Sequence, residues 1–236
     1  VHAVKQYDRS TSTWIRSSPA GASKRCGDFA EIVELTPHRR AFIVGDAAGH
    51  GAGAADGAAS LSAYVRYLVA LHAPLPATLK AASDFFTRRV MNEKMAFASL
   101  FIGVVDRRER TITHASAGHE PALLFDGSDA GAHVHLERTG PLLKIEAGPE
   151  YGESAIPLFA DSLLVVVTDG ITDARRRVDG DLSFFGTAGV TRAVRDAVRG
   201  RRDPAHEIYA AAILHAGGAL NDDACVVVSP VPPAAS

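Results

Sequence analysis

Cysteine and tryptophan are nearly missing from this chain of 236 residues, which has two of the first and one of the second. Two thiols cannot build the disulfide framework of a small secreted domain, so a reducing compartment, the cytoplasm, is expected. Long apolar runs are missing as well. No stretch approaches the ~20 residues of a membrane helix, and no basic start followed by an apolar segment and a cleavage site marks a secretory signal. Neither sign of charge is in excess, with 25 Lys and Arg against 27 Asp and Glu. There is thus no broad basic field to draw nucleic acid or a membrane surface. What is present is 47% hydrophobic and 22% charged, a globular makeup long enough for one sizeable domain. That domain is expected over residues 1–229. Residues 230–236, within the Pro- and Ala-rich "SPVPPAAS", read as a disordered tail.

The chain reads as strands broken by turn clusters. "DFAEIVEL" and "RAFIVGD" flank "TPHRR", where Pro37 and the charges mark a hairpin turn. Two helical stretches follow, at about 52–72 and 77–93. The first has Ala55, Ala58, Ala59, Ser62, Val65, Leu68 and Val69 on one face. "FASLFIGVV", "TITHAS", "ALLF" and "HVHLE" are separated by short polar gaps, which predicts an antiparallel meander. "DSLLVVVTDG" reads as a buried strand ending in an acid. Helices are expected at about 188–199 and 204–215, the latter with Asp203 as N-cap, Pro204 as first helical residue and Gly217 as its stop. "DDACVVV" closes the chain as a last strand. Strands with two helix pairs packed on them make the class α+β.

The acids fall at strand ends. Asp46 and Asp169 follow "AFIV" and "LLVVVT", while Asp28 and Asp222 precede "FAEIVEL" and "ACVVV". In antiparallel pairs the start of one strand lies beside the end of its neighbour. Pro37 lies midway between Asp28 and Asp46, so those two can face each other at the open end of a hairpin. If the other two strands pair likewise, four carboxylates meet on one rim. Two carboxylates ~5 Å apart repel by about 3 kcal/mol at an effective dielectric near 20, so a cluster of four either takes up protons or binds a cation. Oxygen ligands favour Mg²⁺ or Mn²⁺ over zinc. Taken singly, each acid is explained better as a turn cap after a strand.

The series "CGDF", "GDAAGHG", "SAGHEPALL", "VVVTDGITDAR" and "NDDACVVV" resembles the SpoIIE-type branch of the metal-dependent (type 2C) serine/threonine protein phosphatases. The resemblance covers about Cys26 to Val228. It implies two packed antiparallel sheets flanked by helix pairs, an α-β-β-α sandwich. It also implies a centre of two divalent cations, Mn²⁺ or Mg²⁺, with Asp46 bridging and the carbonyl of Ala47 beside it. Asp169 and Asp222 look like ligands of one metal, and Asp28 like the acid that holds the other, through water. The implied reaction is hydrolysis of phosphoserine or phosphothreonine by a hydroxide bridging the metals. The implied substrate is a bacterial regulatory protein, such as an anti-sigma-factor antagonist in a partner-switching pathway. The alternatives are a phosphatase of small phosphate esters and a catalytically silent pseudo-phosphatase. All four acids are present, which argues against the silent one.

The glycines of "GDAAGHG", Gly49, Gly51 and Gly53, let the backbone turn tightly at the site. The loop lacks the lysine and Ser/Thr of a nucleotide-binding P-loop. His50 and His119 are expected to shape turns near the site rather than to ligate metal, with general acid as a minority role for His119. Arg25 is a candidate for holding the substrate phosphate, and Arg175 and Arg176 of "ARRR" for docking an acidic or phosphorylated protein surface. Two departures from the family pattern place Cys26 for the first glycine of "GGDF" and Cys225 where Thr is usual. Both flank proposed ligands, so a redox-sensitive centre is conceivable; two small buried thiols are the simpler expectation. No sensor segment precedes the motifs, so regulation is expected from a partner, from expression or from residues outside this chain.

Overall fold

The structure, a computed structural model, describes residues 4–8, 13–18, 26–48, 52–89, 97–128, 130–145 and 148–231. In chain order, the N-terminal half holds β1 (Val4–Asp8), β2 (Thr13–Ser18), β3 (Asp28–Thr36), β4 (Arg39–Ala47), α1 (Ala52–Ala70), α2 (Leu75–Arg89) and β5 (Ala98–Asp106). Then come β6 (Thr111–Ala117), β7 (Ala122–Asp126), β8 (His133–Leu136), β9 (Ser154–Pro157) and β10 (Ser162–Val167). The remainder is α3 (Asp169–Thr172), β11 (Arg175–Val178), β12 (Asp181–Phe184), α4 (Gly186–Gly200), α5 (Pro204–His215) and β13 (Ala224–Val231).

Two antiparallel sheets carry the molecule, ordered β3-β4-β5-β6-β9 and β1-β2-β13-β10-β7-β8, with β11-β12 a separate hairpin. The continuous apolar runs of the sequence follow from burial on both faces of each sheet. In β4, Ala41 and Ile43 face a core shared with Leu61 and Val65 of α1 and Leu79 and Phe86 of α2. The alternating Phe42 and Val44 face the other sheet. In β10, Leu164 and Val166 point between the sheets. Leu163, Val165 and Val167 pack under Val190 and Val194 of α4 and Ile208 and Tyr209 of α5. Each such side chain, fully buried, contributes roughly 1.5–3 kcal/mol of transfer free energy. The architecture is therefore helix pair, sheet, sheet, helix pair, as expected.

Several local readings need correction. The expected meander is split: β5 and β6 stay in the five-stranded sheet, while β7 and β8 join the other. The chain crosses between sheets at Gly118–Pro121, where Gly118 has φ +62° and its N–H donates to the carbonyl of Gly140 at 3.0 Å. A four-residue polar gap looks the same in sequence whether it closes a hairpin or changes sheets. Ala59, assigned to the buried face of α1, is exposed, and Leu61 completes that face. Asp203 does cap α5, accepting from the N–H of His206 at 3.1 Å. β1, β2, β9 and the β11–β12 hairpin have no apolar run of their own to announce them.

Candidate metal centre

The hairpin register sets Asp28, the first residue of β3, directly opposite Asp46 near the end of β4. β10 and β13 also pair antiparallel, with Val167 opposite Val226, so Asp169 follows one strand end and Asp222 precedes the adjacent strand start. The four acids thus come from two stacked sheets rather than from the rim of one.

Thr168 ties the sheets together at this point. Its hydroxyl donates to Oδ2 of Asp28 at 2.6 Å and accepts from the backbone N–H of Cys225 at 2.8 Å. Its own N–H donates to the carbonyl of Cys225 at 3.1 Å. A second tie runs from the N–H of Gly27 to Oδ2 of Asp223 at 2.6 Å. Two glycines make these approaches possible. A Cβ on Gly27 would stand 2.7 Å from the carbonyl oxygen of Ala47, and one on Gly170 would run into the carbonyl oxygen of Asp223. The glycines of "CGDF" and "TDG" are therefore a matter of space at the junction.

The electrostatics are those of crowded carboxylates. Burial, then the charge of Asp46, pushes Asp28 well above the usual carboxylate range. Burial raises Asp46 to about 6; a hydrogen bond with Asp28 works against the rise, while the charges of Asp222 and Asp223 add to it. Loss of surrounding water, then the charges of Asp46 and Asp222, raises Asp169 to about 7, although the residue is exposed on the rim. Oδ1 of Asp28 is buried and has no hydrogen-bond partner. A buried carboxylate oxygen without a donor, beside acids raised by one another's charge, is the environment a hard divalent cation relieves. Among the described residues, no three of His, Cys, Asp and Glu lie close enough to hold an ion between them. Asp169 and Asp222 are both exposed, and Oδ1 of Asp222 accepts from the N–H of Asp223 at 2.8 Å. The oxygen donor set fits Mg²⁺ or Mn²⁺.

Beside these acids opens a cleft of about 430 Å³ lined by Asp46, Asp169, Ser99, His119, Glu120 and Arg138 among others. A larger groove of about 670 Å³ lies between β8 and α4. Its lining of arginines and histidines, with Asp196 alone in acid, lacks the cluster of carboxylates, so the smaller cleft is the candidate site. His119 sits at the sheet crossing, 1% exposed, with Nδ1 2.7 Å from the hydroxyl of Ser99. Burial, then the charge of Arg138, lowers it to about 3, so at neutral pH the ring is uncharged and has no imidazolium proton to give. Its place at the crossing agrees with a shaping role.

Arg25, Gly49, His50 and Gly51 lie outside the described residues. Arg175 and Arg176 are exposed on β11 and do not line the cleft. Cys225 is buried between the sheets and Cys26 is half-buried. Burial, then the charge of Asp28, raises both thiols. Reactive thiolates need positive surroundings, and these face acids, so the redox expectation has no support in the geometry. Sequence reasoning missed Thr168, Asp223, Ser99, Glu120 and Arg138. The first two adjoin acids already singled out, whereas nothing in "LERTG" distinguishes Arg138.

A sequence profile of the family Stage II sporulation protein E (SpoIIE) matches residues 36–232. Protein IcfG of Synechocystis sp. is 31% identical over 90 residues, covering 38% of this chain and 13% of IcfG. Phosphoserine phosphatase RsbP of Bacillus subtilis is 25% identical over 154 residues, covering 64% of this chain and 38% of RsbP. The chain thus spans well under half the length of either relative. Among solved structures, the SiaA-PP2C domain of Pseudomonas aeruginosa superposes with a TM-score of 0.77 at 21% identity, covering 92% of this chain and 85% of that one. RsbX in complex with magnesium superposes at 0.67 with 15% identity, covering 97% of this chain and all of that one. With a profile match that runs from the β3–β4 turn to the end of β13, on a fold shared with a PP2C domain, the chain belongs to the SpoIIE family.

Proposed function

We propose that this protein is a metal-dependent serine/threonine phosphatase acting on a phosphorylated bacterial regulatory protein. What supports the reading is that the strand ends bearing Asp28, Asp46, Asp169 and Asp222 come to one junction of two sheets, with Oδ1 of Asp28 buried and unpartnered. Asp46 and the carbonyl of Ala47 would serve two divalent cations, Asp169 and Asp222 one of them, and Asp28 the other. Bound there, such cations supply a water acidic enough to act as nucleophile at neutral pH and positive charge for the phosphoryl oxygens.

The chain's own residues do the holding. Thr168 fixes Oδ2 of Asp28 and leaves Oδ1 free of any protein donor. The Gly27–Asp223 bond locks the start of β3 against the start of β13. The buried, neutral His119 and its Ser99 partner form one wall of the cleft without adding charge. A phosphoserine substrate is supported by the likeness to RsbP, a phosphoserine phosphatase; that it is carried on a regulatory protein, of the anti-sigma-factor-antagonist type, is what the motif resemblance implies. Magnesium is supported by its presence in the structure of RsbX, and Mn²⁺ by the same oxygen chemistry. Arg175 and Arg176, exposed on β11, would meet an acidic surface of that partner. No helix among the described residues is long and apolar enough to cross a membrane, which agrees with a cytoplasmic site of action.

The test is hydrolysis of a phosphoserine peptide and of p-nitrophenyl phosphate, with Mn²⁺, with Mg²⁺ and with chelator, by wild type and Asp169→Asn. Turnover that needs metal and collapses in the variant is the expected result. No turnover and no metal binding would contradict it and favour the silent binding module, whereas metal bound without turnover would point to a strict protein substrate or a switched-off enzyme. Turnover of the small ester alone would favour a phosphatase of small phosphate esters.

A further inference from the structure

The cleft beside the acids has one cationic side chain among its described lining residues, Arg138, since His119 is neutral there. Arg138 lies two residues beyond the end of β8 and reaches back to the sheet-crossing loop. Nε donates to the carbonyl oxygen of His119 at 3.0 Å, and Nη2 donates to Oε1 of Glu120 at 2.7 Å. Two of the five guanidinium N–H groups are thereby used and three remain. The side chain is 52% exposed, so the remaining donors are within reach of a ligand.

We infer that Arg138 is the phosphate-binding arginine of this cleft, held in position by Glu120 and the backbone of His119. The inference rests on the phosphatase reading for its substrate and on cleft geometry for its residue. A phosphate ester entering here meets Asp46, Asp169 and Glu120, all capable of repelling it. Cations at the acidic centre offset one side of that charge, and among the described lining residues Arg138 is the only fixed positive group the protein supplies. Its planar fork suits phosphate oxygens, and because two of its donors are already tied down, less side-chain freedom is lost when the anion binds. Glu120 occupies one edge of the guanidinium and orients it, which distinguishes the arrangement from a surface arginine swinging in solvent. The plain structural alternative is that the Arg138–Glu120 pair only pins the crossing loop, and the experiment separates the two.

Wild type, Arg138→Ala and Arg138→Lys are compared in Mn²⁺ by steady-state kinetics on p-nitrophenyl phosphate and a phosphoserine peptide. Direct binding of inorganic phosphate is measured by calorimetry. Removing a charge-assisted fork should raise KM on both substrates about tenfold or more and weaken phosphate binding by a similar factor. Lysine, which keeps the charge and loses the fork, should fall between. The Mn²⁺-induced rise in Tm should match wild type, showing the metal centre intact. Phosphate affinity and KM within twofold of wild type in Arg138→Ala would overturn the inference, and so would an effect on kcat and Tm alone. If Arg138→Ala does not fold, Arg138→Lys decides: phosphate affinity within twofold of wild type overturns the inference, and weakening of threefold or more upholds it. The two readings also fail separately. A wild type that binds phosphate through Arg138 yet hydrolyses nothing overturns the phosphatase and leaves the arginine. A wild type that hydrolyses both substrates, with Arg138→Ala unchanged, does the reverse.

Discussion

The β3–β4 hairpin and the β10–β13 pair each bring two acids to the same end of the molecule, by different means. In the hairpin the backbone ladder itself does the placing: Asp28 and Asp46 occupy opposite positions in register, and Asp28 is only 7% exposed. In the other pair the acids lie beyond the ladder, Asp169 on the first turn of α3 and Asp222 in the approach to β13, and both are exposed. One half of the centre is thus built into a sheet and the other is carried on its ends. Thr168 and Asp223 supply the missing rigidity by bonding the second pair to the first. One half is thus buried with an orphaned oxygen and the other exposed to solvent.

The largest expected effect comes from breaking Asp46, the residue proposed to serve both cations. Asp46→Asn should lower metal-dependent hydrolysis about 10³-fold or more, since a shared ligand is worth several kcal/mol of barrier; turnover against metal concentration measures it. Next is the tie between the halves. Thr168→Val keeps the shape and deletes the hydroxyl, leaving Asp28 Oδ2 and the N–H of Cys225 unpaired. At about 1–3 kcal/mol for each buried unsatisfied group, unfolding in urea should show a loss of roughly 2–6 kcal/mol. A third effect is electrostatic. The raised values of Asp28, Asp46 and Asp169 mean that these three groups hold protons in the folded protein that the unfolded chain has released. Buried histidines, His119 above all, work the other way below pH ~6.5, so above that pH stability in chelator should fall as pH rises through about 7. Saturating Mn²⁺ should abolish that fall at pH 7 and above. A Tm in chelator that rises across this range would contradict the crowding of the acids. The smallest effect belongs to the hairpin outside both halves. Arg175→Ala with Arg176→Ala should leave p-nitrophenyl phosphate turnover unchanged and raise KM a few-fold on a protein substrate alone.

How much of this was legible in sequence follows the same division. The β3–β4 hairpin was readable because a turn midway between two acids fixes their register locally. Asp203, Pro204 and the α5 boundary were readable from capping chemistry. The β10–β13 pairing joins strands far apart in the chain, and no local signal states which strands meet. Its acids stood out by their places at strand ends, but that they meet the other two was readable only on the condition that these strands pair. The change of sheet at Gly118–Pro121 and the place of Arg138 depend on how two sheets stack, a property of packing that no single segment encodes. Cys225 reads in sequence as a flank of a ligand. In the fold it is a core residue between sheets, with its thiol raised by burial and by Asp28.

The measurement closest to the central claim is Mn²⁺ binding itself, followed by calorimetry and by Tm at pH 7.5 in wild type and Asp46→Asn. The account predicts saturable binding by wild type, stabilisation of about 2.7 kcal/mol at a hundredfold excess over the dissociation constant, and loss of both in the variant. A wild-type Tm that Mn²⁺ and Mg²⁺ leave unmoved, with no heat of binding, would mean that these four carboxylates do not form a metal centre.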